Sequence, residues 1–252
     1  MNTKRLEKLN VTCKMLALTA VVMMSVAFTA CSSDDNDSKP NPDAFEYVDL
    51  GLPSGTKWAT CNVGANKPEQ SGNYYAWGEI KTKKNYDWST YKWMEKGKAN
   101  WKNINKYTVP DKQTDAIWYS DQTISSFKGD NKKILEDEDD VATVKLGKPW
   151  RTPTKDELQE LISECNWAWI NDNDKKGFEI KSRRNNNKIF MPVAGFRKDS
   201  EILSAGNVGF YMSKSIDTNN SSKCEYLNLN IVKSFISQES RCFGYLVRPV
   251  RK

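Results

Sequence analysis

The sequence predicts an α+β fold in which short antiparallel strands and about two helices are joined by long, irregular, aromatic-rich loops. Three observations lead there. A reciprocal capping signature at Thr154 opens the clearest amphipathic stripe. After Cys165 the apolar residues recur with a period of two. The apolar runs also stand too close together for the crossovers that a parallel sheet requires.

Taken in order, Tyr47-Val48-Asp49-Leu50 and Lys57-Trp58-Ala59-Thr60-Cys61 flank Gly51-Leu52-Pro53-Ser54-Gly55 and read as a hairpin. Tyr74-Tyr75-Ala76-Trp77 reads as a further short strand. Over residues 79–133 no period survives: Trp88, Tyr91, Trp93, Trp101, Tyr107, Trp118 and Tyr119 recur irregularly among Lys, Asn, Asp, Ser and Thr. Such a stretch either carries function or stays disordered, and its rings are expected to form a local core. A short helix is expected over 139–146, capped by Asp139 or Asp140 and stopped by Gly147. The main helix follows Trp150-Arg151-Thr152-Pro153, where Thr154 and Glu157 form a capping box and Leu158, Leu161, Ile162 and Cys165 fall on one face. Beyond it, runs around Trp167-Trp169, 178–181, 189–191, 210–212, 226–229, 235–236 and 245–247 read as strands separated by Asn, Asp, Gly and Ser. Trp58, Trp77, Trp150 and Arg151 are read as packing residues.

The beginning of the chain reads as an address. Residues 15–30 are an apolar run preceded by Lys4, Arg5, Lys8 and Lys14, and ended by Ala30-Cys31 and the acidic Ser32-Ser33-Asp34-Asp35-Asn36-Asp37. A basic start, a short apolar middle and small residues at the cut describe a secretory signal peptide over 1–30, and a Cys at the cut describes lipidation at Cys31. A membrane-spanning anchor needs roughly 20 apolar residues, and this run has 16 interrupted by Thr19, Ser25 and Thr29. Residues 31–44 then read as a lipidated Cys and a disordered tether without a large apolar side chain. At about 3.3 Å per residue the tether would reach roughly 40 Å. One domain is expected over 45–252, attached by its lipid to the cell outer membrane and facing the extracellular side as a monomer.

The formal charge of +6 is reduced by removal of the leader, which leaves 34 basic against 31 acidic groups. Basic residues between 81 and 106 alternate with rings as in a nucleic-acid groove, but export argues against that partner, and none is expected. The chain has no His, which excludes Ser-His-Asp, Cys-His and His-ligated metal chemistry. Four cysteines remain after the leader and the lipidated residue: Cys61, Cys165, Cys224 and Cys242. Outside the cytoplasm an even number suggests disulfides, with three possible connectivities, of which Cys61–Cys165 with Cys224–Cys242 is preferred. Zinc would want closely spaced pairs, and no C-x-x-C occurs.

Several motifs resemble one family. They are residues 47–65 (YVDLGLPSGTKWATCNVGA), Tyr75-Ala76-Trp77-Gly78-Glu79, Trp150-Arg151-Thr152-Pro153-Thr154, Phe190-Met191-Pro192-Val193-Ala194-Gly195-Phe196-Arg197 and Gly244-Tyr245-Leu246-Val247-Arg248-Pro249-Val250. In this order they resemble the Fibrobacter succinogenes major paralogous domain, found in surface lipoproteins of gut Bacteroidetes. The resemblance implies a C-type lectin-like fold of the formylglycine-generating-enzyme variety. Its copper chemistry needs two closely spaced C-terminal cysteines, whereas Cys224 and Cys242 lie 18 apart, so no enzyme activity and no metal are expected.

The expected function is non-catalytic binding of an extracellular glycan or protein, the alternative being a structural or appendage-associated component. The ligand face is expected to combine the irregular aromatic region with the late strands, especially Tyr211, Ser213, Tyr226, Asn228, Asn230, Arg241 and Tyr245, and the resemblance places contacts within residues 210–243, just before the final Gly-aromatic-x-Val-Arg motif. No cofactor is expected. Calcium could meet oxygen ligands at Asn171-Asp172-Asn173-Asp174 or Glu136-Asp137-Glu138-Asp139-Asp140, but an Asx-rich turn and a solvated helix start explain these runs as well.

Overall fold

The computed structural model describes residues 41–172 and 175–252. Residues 1–30, read from sequence as a leader, and Cys31 lie outside the described residues. The fold is α+β: the described residues form two α-helices, three three-stranded sheets and a two-stranded hairpin, all with antiparallel strand pairing.

Strands β1 (Tyr47–Asp49) and β2 (Lys57–Ala59) form the expected hairpin. Strand β11 (Val250–Arg251) adds to the other edge of β2, so that Val48 and Val250 both stand opposite Trp58. Arg248, just before β11, is wholly buried and spends its planar fork on four oxygens. Its Nε donates to Asn62 Oδ1 (2.8 Å), and its terminal nitrogens donate to the carbonyls of Ala59 (3.0 Å), Thr60 (2.6 Å) and Phe190 (2.9 Å). That side chain fastens the first sheet to the segment around Phe190. Residues 42–44, assigned to the tether by sequence, instead form a 3-10 turn whose Pro42 carbonyl accepts a bond from Trp150 Nε1 at 2.7 Å.

Helix α1 (Val141–Leu146) starts at Asp140, whose carboxylate accepts from Ala142 N and from the amide and hydroxyl of Thr152. It stops at Gly147, held at φ +78°, where a side chain would be strained. Helix α2 (Lys155–Glu164) has the complete capping box between Thr154 and Glu157. Leu158 and Leu161 are fully buried beneath it, and Arg151 grips Glu157 with both terminal nitrogens (2.6 and 2.5 Å). Trp58, Trp77 and Trp150 are buried, as expected of packing residues.

Residues 79–133 contain 3-10 turns and isolated bridges but no strand. Their order comes from rings and buried polar anchors. Tyr86, Tyr91, Tyr107, Trp118 and Tyr119 are buried, and Trp88, Trp93 and Trp101 pack against them. Buried Arg241 donates to Tyr91 Oη (2.6 Å) and to the carbonyls of Tyr107, Ser221 and Lys106 (2.8, 3.0 and 3.0 Å), with its guanidinium 4.7 Å from the Trp77 ring centre.

The remaining strands are β3 (Cys165–Asn171), β4 (Lys176–Ser182), β5 (Lys188–Pro192), β6 (Phe196–Lys198), β7 (Glu201–Leu203), β8 (Val208–Ile216), β9 (Lys223–Asn230) and β10 (Phe235–Ser240). They form sheets β3-β4-β5 and β10-β9-β8 and the hairpin β6-β7. Three details differ from the sequence reading. Residues 74–77 and 245–247 make only single bridges, Tyr75 with Tyr245 and Leu246 with Tyr211, because each is paired across one residue rather than along a ladder. The β6–β7 hairpin was not anticipated, its strands being too short to show a period. Finally, Cys61, Cys165, Cys224 and Cys242 are free thiols. Each has its own neighbours: Cys165 stands opposite Ser182, Cys224 opposite Ile216 and Glu239, and Cys61 beside the Thr60 hydroxyl, while Cys242 packs in a different core cluster from Cys224. Burial pushes the Cys165 thiol up to about 11 and that of Cys242 up to about 12, and raises that of Cys224. Protonated thiols react slowly with oxidants.

Candidate functional site

Alternation along β9 divides its residues between two faces. Leu227 and Leu229 point into the core with Tyr211 and Ile236, beneath α2. Tyr226, Asn228 and Asn230 point the other way. The register puts Phe210 and Phe235 on either side of Asn228, Met212 and Ser237 on either side of Tyr226, and Val208 opposite Asn230. The inner part of this second face is covered by a second core cluster holding Met212, Cys224 and Tyr245. Toward its outer part Phe210, Asn228 and Asn230 are half-buried and Phe235 is exposed.

A ladder of rings runs from the core to that outer part. Tyr245 packs on Tyr226 (5.6 Å between centres), Tyr226 stacks on Phe210 (4.8 Å, 14° between planes), and Phe210 meets Phe196 (4.4 Å), which meets Phe243 (5.8 Å). Phe196, Phe210 and Phe243 are half-buried and Phe235 is exposed. Asn230 Nδ2 donates to Asn228 Oδ1 (2.9 Å), aligning two amides beside the rings. Burial raises the Tyr226 phenol, opposed by hydrogen bonding from Ser237 and Asn228. Lys198 stands over the Phe243 ring at 5.5 Å. Gly195, at φ +71°, permits this assembly, since a Cβ there would lie 2.0 Å from the Leu203 carbonyl oxygen.

The seven residues expected to contact ligand fare unequally. Tyr211, Ser213, Tyr226, Arg241 and Tyr245 are buried, which corrects the sequence reading. Tyr211 faces α2 and donates to the Pro192 carbonyl (2.7 Å), Ser213 Oγ donates to the Glu225 carbonyl (2.9 Å), and Tyr245 donates to the Ser240 carbonyl (2.7 Å). Arg241 fastens the irregular region, and Tyr226 is the floor of the ring ladder. Only Asn228 and Asn230 stay at the surface. Of the rings beside them, Phe210, Phe235 and Phe243 fall within the expected span 210–243 without being singled out as contacts, and Phe196 lies outside it. The Phe-Arg-Lys run of β6 and the Gly-Phe-Tyr run of β8 signal aromatic strands, but nothing local says that their rings converge.

The acidic run is also occupied from within. Carboxylate oxygens of Glu136, Glu138 and Asp139 lie within 4.8 Å of one another. Lys106 Nζ enters this group at 2.7 Å from Glu136 and 2.7 Å from Asp139, and buried Asp139 also accepts from Lys92 (2.9 Å) and the Tyr107 hydroxyl (2.7 Å). Burial would raise the Asp139 carboxyl, but these donors outweigh it and hold it below the usual range. An ammonium therefore serves where a cation was considered. In the β3–β4 turn, Asp172 Oδ1 accepts from Lys175 N at 2.8 Å, while Asn173 and Asp174 lie outside the described residues.

A cleft of 480 Å³ opens elsewhere, with Val48, Ile170, Ile189 and Phe190 among its apolar lining and the Lys188–Glu179 ion pair (2.7 Å) on its rim. No helix among the described residues is long and apolar enough to cross a membrane. No protein-family model, curated protein or solved structure matches this chain.

Proposed function

We propose that this chain is a non-catalytic lipoprotein, anchored through Cys31 at the cell outer membrane and facing outward. On this reading a C-type lectin-like domain binds an extracellular glycan or protein. The observation that carries the binding reading is the half-buried ring series Phe196, Phe210 and Phe243 beside the half-buried Asn228 and Asn230 at one end of the β8–β9–β10 sheet. Rings offer flat apolar contact at little conformational cost, and neighbouring amides supply directional donors and acceptors, a combination suited to sugar faces and protein surfaces alike. The three partly buried Phe side chains of such a surface would dominate the binding energy. The motifs over residues 47–250 that resemble the major paralogous domain support the same reading, as does the leader ending in Ala30-Cys31 and an acidic run.

Screening the mature protein on glycan arrays and against extracellular proteins, alongside Phe210→Ala and Asn228→Ala, tests the proposal. Each substitution is expected to weaken capture at least about tenfold, corresponding to ~1.4 kcal/mol, with the fold unchanged by circular dichroism. Undiminished capture by both variants refutes the assignment to this face. The alternative, a structural or appendage-associated component, is favoured by the β9–β10 turn, where Ile231 and Val232 are 61% and 90% exposed. It predicts concentration-dependent self-association that Val232→Asp abolishes.

A further inference from the structure

A second, smaller pocket of 330 Å³ lies away from the ring face and is lined by Asn73, Tyr75, Ile80, Lys81, Thr82 and Lys145. Its composition is one-sided. Two lysines contribute to the wall and no carboxylate does. Nearby, Lys83 pairs with Glu79 at 2.9 Å, Lys92 with Asp139 at 2.9 Å, and Lys148 with Asp137 at 2.5 Å, whereas Lys84, Lys96 and Lys98 have no ion pair among the described residues. Lys81 and Lys145 have no ion-pair partner among the described residues. Two like charges bordering one concavity repel, and an anion between them relieves that repulsion.

The neutral groups add hydrogen-bond donors. Tyr75 is 2% exposed, and its hydroxyl accepts from Asn73 Nδ2 at 3.4 Å while its own proton meets no acceptor among the described residues. The Thr82 hydroxyl is exposed and likewise unbonded there. A buried phenol whose proton has no protein acceptor is suited to an incoming oxygen. Ile80 supplies an apolar wall.

We propose that this pocket binds an oxyanion, the sulfate or carboxylate of a small acidic sugar, with Lys81 and Lys145 matching its charge, Tyr75 and Thr82 donating to its oxygens, and Ile80 contacting the ring. The same chemistry would accept a free inorganic oxyanion. The site shares no residue with the ring face, so the two can fail separately.

The test is titration of the full domain, by amide chemical shifts and calorimetry, with glucose 6-sulfate, glucuronate, inorganic sulfate and glucose. The acidic sugars are expected to bind more tightly than glucose and to weaken as salt is raised. Lys81→Gln and Lys145→Gln should each weaken glucose 6-sulfate binding about threefold to fivefold, as befits exposed charges. Lys84→Gln, outside the lining, and Phe210→Ala should leave it unchanged. Binding of inorganic sulfate as tightly as glucose 6-sulfate would support the oxyanion site and assign it to the free ion. Absence of binding by all three anions, or anion binding indifferent to both lysine substitutions, would overturn the proposal.

Discussion

Glu157→Gln should make the stability of this domain markedly less dependent on pH. Glu157 is the third helical residue of α2 and is 8% exposed. It accepts from both terminal nitrogens of Arg151 (2.6 and 2.5 Å), the Thr154 amide (2.9 Å) and the Thr56 hydroxyl (2.7 Å). Burial by itself would push its carboxyl up, but Arg151, Thr154 and Thr56 together hold it down at about 2, against 4.5 for a free glutamate. A carboxyl whose folded value is depressed stabilises the fold fully above its unfolded value, and that stabilisation is lost as pH falls through the folded one. At 1.36 kcal/mol per unit the difference is about 3 kcal/mol at neutral pH, of which about 2 kcal/mol is gone by pH 3. Urea unfolding of both proteins between pH 3 and pH 7 reads this directly. The gap should be about 3 kcal/mol at pH 7 and shrink to about 1 kcal/mol at pH 3. A gap that stays constant across the range would refute the assignment of a charged, Arg151-clamped Glu157.

Arg248→Lys should cost about 3 kcal/mol in the same assay, since one ammonium cannot reach the four buried oxygens that the guanidinium serves. Asp139→Ala should cost a similar ~3 kcal/mol, because it leaves Lys92 and the buried Tyr107 hydroxyl without their acceptor and Lys106 with Glu136 as its remaining close partner; hydrogen exchange should then rise first in residues 79–133. Peptide-level thiol labelling should find Cys165, Cys224 and Cys242 unreactive until the domain unfolds, with half-buried Cys61 modified in the native state, and a reductant should leave the unfolding midpoint unchanged.

Features governed by rules spanning a few residues were legible in the chain. The Thr154–Glu157 box, the Asp140 cap, the Gly147 stop and the hairpin around residues 51–55 all appear where local chemistry placed them. The aromatic staples of residues 79–133 were legible as rings in search of a core, because rings that size must be covered. The proposed binding face was legible only in part. Asn228 and Asn230 keep their amides at the surface, on alternating positions of β9. Tyr211, Arg241 and Tyr245 were misplaced because polarity at one end of a side chain does not reveal whether a carbonyl waits for it inside.

By itself the sequence determined that the body is α+β, that His-based chemistry is excluded, and that its leader resembles an export address. Those conclusions need only composition, period and neighbours along the chain. Tertiary structure alone decided that the four cysteines stay apart, that Lys106 fills the acidic cluster, and that Phe196, Phe210 and Phe243 meet at one surface. Each of these depends on segments distant in sequence arriving at one place, and distance in space is set by packing the whole domain at once.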